Sequence, residues 1–411
     1  MALDLVLVEL PNQALESPSM YLPLGNLYLA AAAKRAGFVV TIADFRDRVM
    51  ELPKARYYGF SCTTPQITIA KQLAKRVTGK TIIGGAHPSL LPQDCEGFFD
   101  YVVRGEGEEI LIDIIRNTLE PGTYRTKRIG TLDGIPLPAW DLVDNCFSNS
   151  LFTGERYGYG DKSMAVITSR GCPYNCAFCG NHLRVPVTFR SVGNIRKEIL
   201  ELLRRDVSHF RFVDDNFTLH PQFDELCAML KQAGVKYRCH SRSNLITTPM
   251  AYLMKDSGCE ECSIGVESAD DKVLKLNNKG EVAERHGKAL RILQGAGLAT
   301  KVYLMSGLPG ETDESIELTK QFMIDYKPTK WTLSTFCPYP GCAIFNNPDK
   351  FGIKIINPHW ENWWNFVYNV RDLDLPDRKG YVHQLEGQTL EDMKRRHDNL
   401  YYFLYREDWK R

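Results

Sequence analysis

Cys172-Pro-Tyr-Asn-Cys176-Ala-Phe-Cys179 places three cysteines within eight residues. Cysteine thiolates are the usual ligands of 4Fe-4S clusters, which normally take four of them. A tight C-x3-C-x2-C trio with no natural fourth partner leaves one iron atom free to bind something else. The motif therefore predicts an iron-sulfur cluster that takes part in chemistry.

A structural zinc site is the alternative interpretation of these cysteines. Such sites usually combine four Cys or His ligands in paired spacings, and His182 could supply a fourth ligand. The gap of three residues followed by a gap of two is unusual for zinc, so the cluster is preferred. Under the zinc interpretation the chain would be a non-catalytic interaction protein. A second pair, Cys259-Glu-Glu-Cys262, has redox or zinc spacing but lacks the further ligands of an additional cluster.

The residues before the trio predict a strand followed by a loop. Ser163-Met-Ala-Val-Ile-Thr168 suits a buried strand, and Ser169-Arg-Gly-Cys172 begins the loop at its carboxyl end. Active sites of (βα) barrels are built on such loops. The cysteine spacing resembles that of the radical S-adenosylmethionine (SAM) superfamily. The resemblance implies that the open iron binds the amino and carboxylate groups of SAM, which one electron splits to a 5'-deoxyadenosyl radical.

Length, charge and composition narrow the possible classes. A chain of 411 residues is long enough for two or three domains, and a formal net charge of +1 implies no broad basic field for nucleic acid. Residues 1–10 are apolar with two acidic residues and no basic one, which predicts a first β-strand and not a signal peptide. The most apolar stretch, residues 17–33, is too short and interrupted to span a bilayer. Twelve scattered cysteines favour reduced thiols, so we predict a cytoplasmic protein that binds neither nucleic acid nor membrane.

Strands and helices alternate over residues 1–125. This alternation predicts a doubly wound, Rossmann-like parallel sheet within an α/β protein. Ligands of such sheets bind at the carboxyl ends of the strands. Strands are predicted over residues 3–10, 38–44, 57–61, 80–83 and 101–103, with helices over 22–37 and 68–78 and a short element near Val49.

The loops that follow these strands are rich in glycine, as in Gly84-Gly-Ala-His-Pro88 and Arg104-Gly-Glu-Gly107. Glycine lets the backbone approach a ligand closely. The order of these loops ahead of the cysteine trio resembles the cobalamin-binding domain that precedes the core in one large radical SAM subfamily. The resemblance implies a cobalamin site formed by Leu24, Gly25, Thr63, Thr64, Gly84, Gly85, His87, Pro88, Gly105, Glu106 and Gly107.

The D-x-H-x-x-G motif, whose histidine ligates cobalt, is absent from this region. The resemblance therefore implies cobalt bound without a histidine below it. Cys62 would face the lower side of the corrin, and we predict that it is a small buried apolar residue and not a cobalt ligand. A domain that keeps the scaffold but binds no corrin is the open alternative.

The alternation of strand and helix patterns ends at Pro121, and residues 126–159 are predicted to form a linker. Over residues 160–345, six strand-helix steps with polar residues just past each strand predict a partial (βα)6 barrel of the TIM type. Residues 346–411 are predicted to form a small, mainly helical cap with a helix from Leu390 to Tyr405. The barrel strands are predicted over residues 163–168, 210–213, 237–240, 261–266, 301–305 and 331–336.

The superfamily resemblance also assigns roles to residues at the predicted barrel mouth. Cys172, Cys176 and Cys179 would bind iron and are the predicted catalytic and metal-binding residues. The Gly-Gly-Glu often found at the amino-group contact is absent here. The predicted SAM contacts are Phe178 beside the adenine, Asp214 and Asn216 at the methionine amino group, Ser241 and Arg242 on a neighbouring strand end, Glu267 at the ribose with Ser268 next to it, and Met305, Gly307 and Leu308 on the adenine shelf.

The two resemblances together imply a cobalamin-dependent radical SAM methyltransferase. It would pass a methyl group from SAM, by way of methylcobalamin, to an unactivated carbon. A peptide or protein is preferred as substrate over a small molecule, because the small cap would leave an open mouth. Electrons would come from a flavodoxin- or ferredoxin-type donor. A radical SAM isomerase, cyclase or oxidoreductase with the same cofactors is the second interpretation.

Overall fold

The chain forms two compact units in the computed structural model, which describes residues 2–11, 22–46, 51–143, 163–364, 367–368 and 381–406. The first unit comprises Met1–Ala165 with Asn181–Ser208, and the second comprises Val166–Gly180 with His209–Arg411. Residues 181–208, assigned to the barrel from the sequence, thus group with the N-terminal region. The element expected near Val49 and the linker beyond residue 143 lie outside the described residues.

A six-stranded parallel sheet forms the centre of the first unit. The apolar run of β1 suits a parallel strand covered on both faces, and Leu5 and Val6 are fully buried. The sheet is doubly wound as predicted, because the strand order reverses between β1 and β3. Its strands are β1 (Leu3–Glu9), β2 (Val40–Asp44), β3 (Ala55–Ser61), β4 (Lys80–Gly84), β5 (Tyr101–Arg104) and β6 (Gly122–Arg125), in the spatial order β2-β1-β3-β4-β5-β6.

Helices join these strands and cover the sheet. Ala30 and Ala33 of the first helix lie in the same hydrophobic core as Leu5 and Leu7, because small side chains let the helix approach the sheet. The sequence does not predict β6, since its Gly-Thr-Tyr-Arg segment is mostly polar and joins the sheet only at an edge. The helices are α1 (Leu24–Arg35), α2 (Ile67–Ala74), α3 (Ala86–Leu90) and α4 (Ile110–Ile115).

The described part of the predicted linker packs against α1. Ala139 N donates to Leu27 O at 3.1 Å, and an Arg35 guanidinium nitrogen donates to Gly134 O at 2.7 Å. Trp140 is buried. This segment therefore belongs to the first unit and is not a free connection.

The second unit is built on a curled sheet in which successive strands are neighbours, the half-barrel arrangement predicted from the sequence. Strands β10 to β14 pair in parallel and in chain order, with β7 beside β10. The strands from residue 163 to 335 are β7 (Ser163–Val166), which ends at the boundary of the units, β8 (Ser169–Arg170), β9 (Thr188–Phe189), which groups with the first unit, β10 (His209–Phe212), β11 (Lys236–Ser241), β12 (Cys259–Glu267), β13 (Ala299–Ser306) and β14 (Lys330–Thr335).

The strands of this sheet have two different faces. Along β13, Val302 and Leu304 are fully buried, whereas the alternate residues Lys301, Tyr303 and Met305 are partly exposed. Crossover helices cover the first face, and in a barrel the second face is the interior. The helices from residue 192 onward are α5 (Val192–Leu203), which groups with the first unit, α6 (Phe223–Ala233), α7 (Thr248–Asp256), α8 (Asp271–Leu276), α9 (Ala283–Gly295), α10 (Asp313–Tyr326), α11 (Ala343–Asn346) and α12 (Leu390–Tyr405).

The C-terminal region groups with the second unit. Helix α12 has the predicted bounds and begins at a capping box between Thr389 and Asp392. The region also contains an antiparallel pair, β15 (Ile353–Ile355) with β17 (His383–Leu385), and a strand β16 (Val367–Tyr368) that pairs antiparallel with β14. None of the helices in the described ranges is both long and apolar enough to cross a bilayer.

Two glycines after helices of the second unit differ in their surroundings. At Gly234 (φ +66°), a Cβ would meet nothing within 4 Å, whereas a Cβ on Gly258 (φ +97°) would lie 2.2 Å from Val235 O. We expect Gly234→Ala to lower the free energy of unfolding by about 1–2 kcal/mol. Gly258→Ala should cost roughly 2–5 kcal/mol, because the clash adds to the backbone strain. Urea denaturation of both variants checks this, and equal losses would contradict it.

Candidate active site

The three cysteines of the trio lie on the loop that follows β7. Cys176 is buried, whereas Cys172 and Cys179 keep part of their surface exposed. Two backbone hydrogen bonds hold the middle of the loop: Ala177 N donates to Asn277 O at 2.8 Å, and Ile344 N donates to Ala177 O at 3.2 Å. Residues far away in the sequence therefore fix the path of the loop.

Two polar side chains donate to the cysteine sulfurs. Asn216 Nδ2 lies 3.3 Å from Cys172 Sγ, and Arg242 Nη1 lies 3.2 Å from Cys176 Sγ. Donors to sulfur tune and stabilise ligated thiolates, so this arrangement suits a cluster on the loop. Asn216 Oδ1 is buried and has no hydrogen-bond partner in the described part of the chain. The donor set and this unsatisfied oxygen fit a bound group beside the trio.

Arg242 is held in place by several groups. Its guanidinium forms an ion pair with Glu281 at 2.9 Å, donates to Lys279 O, and lies 3.9 Å from the centre of the Tyr174 ring. The sequence interpretation places Arg242 at SAM, and the structure places it at the sulfur of Cys176. No motif connects Glu281 or Tyr174 to this position, so the sequence interpretation missed both.

Asp214 anchors the start of the cysteine loop. Its Oδ1 accepts hydrogen bonds from Thr168 N at 2.9 Å, Thr168 Oγ1 at 2.8 Å and Ser169 Oγ at 2.6 Å. Burial raises the pKa of Asp214, and these hydrogen bonds oppose the shift. Asp214 Oδ1 therefore holds the loop, while Oδ2 is buried without a hydrogen-bond partner in the described part of the chain, and the contact with the methionine amino group stays a prediction.

Glu267 ends β12 in a conformation that is rare for a side-chain-bearing residue. Its φ is +66°, and such strain typically costs about 1–3 kcal/mol and collects at functional sites. Its Oε1 accepts from Lys279 Nζ at 3.0 Å. A Cβ on Gly265 would lie 2.5 Å from the same oxygen, so the pair needs glycine there. The neighbouring Ser268 Oγ accepts from Asp270 N at 3.2 Å.

The predicted adenine residues come together in one hydrophobic cluster. Phe178 and Met305 are partly buried against a core that includes Leu308. Gly307, at φ +82°, lies under the Tyr381 ring, which a Cβ would approach to 2.5 Å. Of the remaining predicted contacts, Ser241 Oγ shares a hydrogen bond of 2.6 Å with Thr218 Oγ1 and lies beside Arg242 in β11 and the turn after it.

Glu311 is a buried carboxyl next to Gly307. Its Oε2 accepts from Gly307 N at 2.8 Å, and Arg396 Nη1 lies 4.0 Å from Oε1. Burial raises the pKa of Glu311 to about 7, although the Gly307 N–H and Arg396 favour the charged form.

A pH dependence follows for the stability of the fold. Between its ordinary pKa of 4.5 and about 7, Glu311 binds a proton in the folded state but not in the unfolded state. The free energy of unfolding should therefore fall as the pH rises through this window, by up to about 1.4 kcal/mol per pH unit. We expect Glu311→Gln to flatten this profile and Glu314→Gln, at an exposed position, to leave it unchanged. Urea denaturation across the window measures both, and a parallel slope in Glu311→Gln would refute the assignment.

The other cysteine pair lies in the core. Cys259 and Cys262 are buried beside Cys239, and burial raises the pKa of the Cys239 thiol well above its usual range. Burial also raises the pKa of Cys259, so Cys239 and Cys259 are protonated core thiols. Within the described ranges, no three His, Cys, Asp or Glu side chains converge closely enough to hold a single metal ion. Ligands of three separate irons in a cluster need not converge on one point, whereas ligands of one zinc ion must.

In the first unit, most of the predicted cobalamin residues lie at the carboxyl ends of β3, β4 and β5, whereas Leu24 and Gly25 lie in the first turn of α1. Hydrogen bonds connect the loops there: Cys62 N donates to Gly84 O at 2.9 Å, Ser89 Oγ to Gly85 O at 2.6 Å, and Gly105 N to Ser89 Oγ at 2.9 Å. The fold therefore collects three separate loops, two of which contain glycine, at one edge of the sheet.

This edge offers small residues to a ligand. Thr63 and Gly25 are exposed, and a Cβ on Gly25 would meet nothing within 4 Å. A Cβ on Gly85 (φ +102°) would lie 2.8 Å from Cys62 O. The Cys62 side chain is buried, and burial raises the pKa of its thiol, which confirms the prediction of a small core residue. Of the five glycines predicted at the cobalamin site, only Gly25 has open space at its Cβ position, so the exposed Gly25 and Thr63 are the residues that leave room for a ligand.

Two of the residues predicted to contact cobalamin, His87 and Glu106, are buried and bind other residues of the same unit. His87 is fully buried, with Nδ1 3.3 Å from Thr64 Oγ1 and Nε2 3.4 Å from Asp94 Oδ2. Burial lowers the pKa of His87 to about 4, so the ring is neutral. Glu106 is also buried and pairs with Arg128 at 2.9 Å. Gly107 lies in the loop that follows β5, and Pro88 lies in α3, the helix that follows β4. Leu24 is the first residue of α1.

Two family models match the sequence. The radical SAM superfamily matches residues 166–323, and the B12 binding domain matches residues 14–115. The first match spans the cysteine loop and strands β10 to β13. The second spans the glycine-containing edge of the first unit.

Three curated proteins show the range of similar sequences. An uncharacterized methyltransferase of Pyrococcus horikoshii is 28% identical over 368 residues, covering 79% of this chain and 77% of that protein. The cytidylyl-2-hydroxyethylphosphonate methyltransferase of Streptomyces wedmorensis is 30% identical over 393 residues, and the alignment covers 73% of this chain and 72% of that protein. The anaerobic magnesium-protoporphyrin IX monomethyl ester cyclase of Rubrivivax gelatinosus is 26% identical over 399 residues, and the alignment covers 87% of this chain and 71% of that protein.

The fold is similar to that of a solved structure. The radical SAM methyltransferase TsrM from Kitasatospora setae, with cobalamin and a 4Fe-4S cluster bound, superposes with a TM-score of 0.66 at 17% identity. The alignment covers 84% of this chain and 77% of that one. This likeness confirms the α/β fold class predicted from the sequence.

Proposed function

Because the chain belongs to the radical SAM superfamily and combines its core with a B12 binding domain, we propose that it is a cobalamin-dependent methyltransferase that acts on an unactivated carbon. The observation that carries this proposal is the cysteine loop with a donor at each of two sulfurs, Asn216 at Cys172 and Arg242 at Cys176. The cofactors of the family are a 4Fe-4S cluster, SAM and cobalamin.

When bound, these groups supply a one-electron cleavage of SAM and a carrier for the methyl group. The residues of this chain bind and orient them. We propose that the three loop cysteines hold iron and that Arg242, fixed by Glu281, places a positive charge at the Cys176 sulfur. Glu267 and the cluster around Phe178 and Met305 would hold the ribose and the adenine. The glycine-containing edge of the first unit would hold the corrin.

The substrate preference from the sequence needs revision. A peptide or protein is the preferred substrate there because a small cap would leave an open mouth, and no contact in the described ranges supports that choice. Two of the relatives reported above are named for small molecules, a nucleotide-linked phosphonate and a tetrapyrrole ester. We therefore propose a small molecule as the substrate class.

A cyclase is the second candidate function, because the Rubrivivax gelatinosus relative carries that name. A cyclase would share the cysteine loop, the SAM residues and the cobalamin edge. The products differ: a methyltransferase yields a methylated product and consumes two SAM molecules per turnover, whereas a cyclase transfers no methyl group.

The test starts from anaerobically reconstituted protein. We expect about four iron atoms per chain, as for one cubane cluster, together with bound cobalamin seen by absorption spectroscopy. Reduction in the presence of SAM should release 5'-deoxyadenosine. Isotope-labelled methyl-SAM offered with candidate substrates then separates methyl transfer from cyclisation. Iron incorporation without any affinity for cobalamin would overturn the methyl-transfer proposal.

We also propose a flavodoxin- or ferredoxin-type protein as the electron donor, since cleavage of SAM needs one low-potential electron. A cytoplasmic location is proposed from the scattered cysteines, which favour reduced thiols, the absence of nucleic-acid partners from the near-neutral charge, and the absence of membrane partners from the short, interrupted apolar stretches. A pull-down with a flavodoxin or a ferredoxin under reducing conditions tests the proposed electron donor.

A further inference from the structure

A buried ion pair lies beside the cysteine loop. Arg242 Nη2 is 2.9 Å from Glu281 Oε2, and the two side chains are only 8% and 0% exposed. Charges that are shielded from water act strongly on the groups next to them, because the effective dielectric constant there is low. Both charges therefore act on a group that the loop binds.

Arg242 contacts the cysteine loop at two points. Its Nη1 donates to Cys176 Sγ at 3.2 Å, and its guanidinium carbon lies 3.9 Å from the centre of the Tyr174 ring. Asn216, which donates to Cys172 Sγ at 3.3 Å, is a neutral amide. Of these two donors, Arg242 is the one that brings a formal charge to a sulfur.

Glu281 holds the guanidinium of Arg242 in this position. Its Oε1 accepts a hydrogen bond from Asn244 N at 2.8 Å, in the turn that follows β11, while its Oε2 faces Arg242. Lys279 O, two residues before Glu281, accepts from Arg242 Nη2. Within the described ranges no hydrogen bond joins Glu281 to a cysteine of the trio, so Glu281 acts on the sulfurs through Arg242.

Two other ionisable groups near the pair add no net charge. Lys279 Nζ donates to Glu267 Oε1 at 3.0 Å, so this cation already has its own counter-charge. Burial lowers the pKa of His286 to about 3, and the charges of Lys279 and Arg242 add to the shift, so the imidazole is neutral. The charges of Arg242 and Glu281 are therefore not repeated by these neighbours.

The reduction potential of an iron-sulfur cluster depends on its net charge and on the hydrogen bonds to its sulfurs. Reduction adds one negative charge, so a cation at a ligand sulfur favours the reduced state, and a carboxylate disfavours it. We infer that Arg242 raises the reduction potential of the cluster through the Cys176 sulfur, and that Glu281 is the positioning residue that holds Arg242 there and limits the rise. The inference rests on the proposed function in one respect, which is that the three loop cysteines hold the cluster.

The two members of the pair should have opposite effects on the potential. Arg242→Gln keeps an N–H donor for the sulfur and removes the positive charge, so the potential should fall. Glu281→Gln keeps an acceptor for Asn244 N and removes the negative charge, so the potential should rise. The loss of a merely structural contact would not move the potential in opposite directions.

A redox titration of anaerobically reconstituted protein, followed by the electron paramagnetic resonance of the reduced cluster, measures these shifts. At a fixed solution potential, the ratio of reduced to oxidised cluster should fall about tenfold in Arg242→Gln, which corresponds to about 59 mV for one electron. The ratio should rise by about threefold or more in Glu281→Gln, whose charge reaches the sulfur only through Arg242. Arg242→Lys, which keeps the charge, should stay near the wild-type potential. SAM is left out, so that a contact between Arg242 and SAM cannot produce the shift.

Two exposed residues of α9 supply the matched controls. Arg285→Gln and Glu284→Gln remove charges that solvent screens, so both variants should keep the wild-type potential. The inference fails if Arg242→Gln or Glu281→Gln leaves the potential unmoved, or if both move it in the same direction. It also fails if either variant loses its iron, because the pair would then only hold the loop. A wild-type protein that binds iron but no cobalamin would overturn the methyl-transfer proposal and leave these shifts measurable, so either proposal can fail alone.

Discussion

Replacing Cys176 with alanine is expected to leave the protein without its iron-sulfur cluster and without SAM cleavage. A cubane cluster that already lacks one protein ligand cannot lose a second and remain bound. Arg242 would also lose the sulfur that it contacts at 3.2 Å. We expect iron content to fall from about four atoms per chain to near zero, and 5'-deoxyadenosine to fall below detection. Cys172→Ala and Cys179→Ala should behave in the same way.

Cys227→Ala is the matched control, because it removes a buried thiol of the same unit that lies outside the trio. This variant should keep its iron and its SAM cleavage at the wild-type level. Circular dichroism of the trio variants should show a folded protein, since the cysteine loop lies outside the sheet. Cluster content that survives in Cys176→Ala would refute the assignment of the trio.

Gly85→Ala should weaken cobalamin binding at least tenfold while leaving the cluster intact. The φ of +102° alone makes alanine cost about 1–2 kcal/mol, and the added Cβ would lie 2.8 Å from Cys62 O and 2.9 Å from Cys62 N. The loops after β3 and β4 would have to separate, and the edge proposed to hold the corrin would change shape. Because about 1.4 kcal/mol corresponds to a tenfold change in affinity, we expect a loss of at least tenfold.

Titration with hydroxocobalamin, followed by absorption spectroscopy, measures this effect. Gly97→Ala is the control, since Gly97 also has a positive φ (+79°) but nothing lies within 4 Å of its Cβ position. That variant should carry similar backbone strain and keep wild-type affinity. Wild-type affinity in Gly85→Ala would show that the glycine-containing edge is not the cobalamin site.

Sequence patterns predict the sheets because their information is local. The apolar runs of β1 and β13 identify strands from a few neighbouring residues, and the bounds of α12 follow from its capping box and amphipathic spacing. The strand β6 is missed, since a short polar edge strand has no such pattern. The grouping of α5 with the first unit depends on packing between distant segments, which no local pattern contains.

The candidate site can be predicted in part for the same reason. The cysteine motif is local, and the structure places Asn216 and Arg242 against its sulfurs as members of the predicted set. Their partners are invisible in the sequence: Glu281 comes from a segment 39 positions after Arg242 in the chain and meets it only through the fold.

The antiparallel pairing of β16 with β14 has a consequence for solubility during folding. β14 is the last parallel strand of the half-barrel, and its backbone would otherwise present unpaired N–H and C=O groups next to the buried Trp331 and Leu333. Uncovered apolar strands of this kind recruit strands from other molecules. The pairing covers Leu333 and Ser334 at this edge, so a nascent chain that has not yet made the segment around Val367 is more exposed to intermolecular association than the complete one.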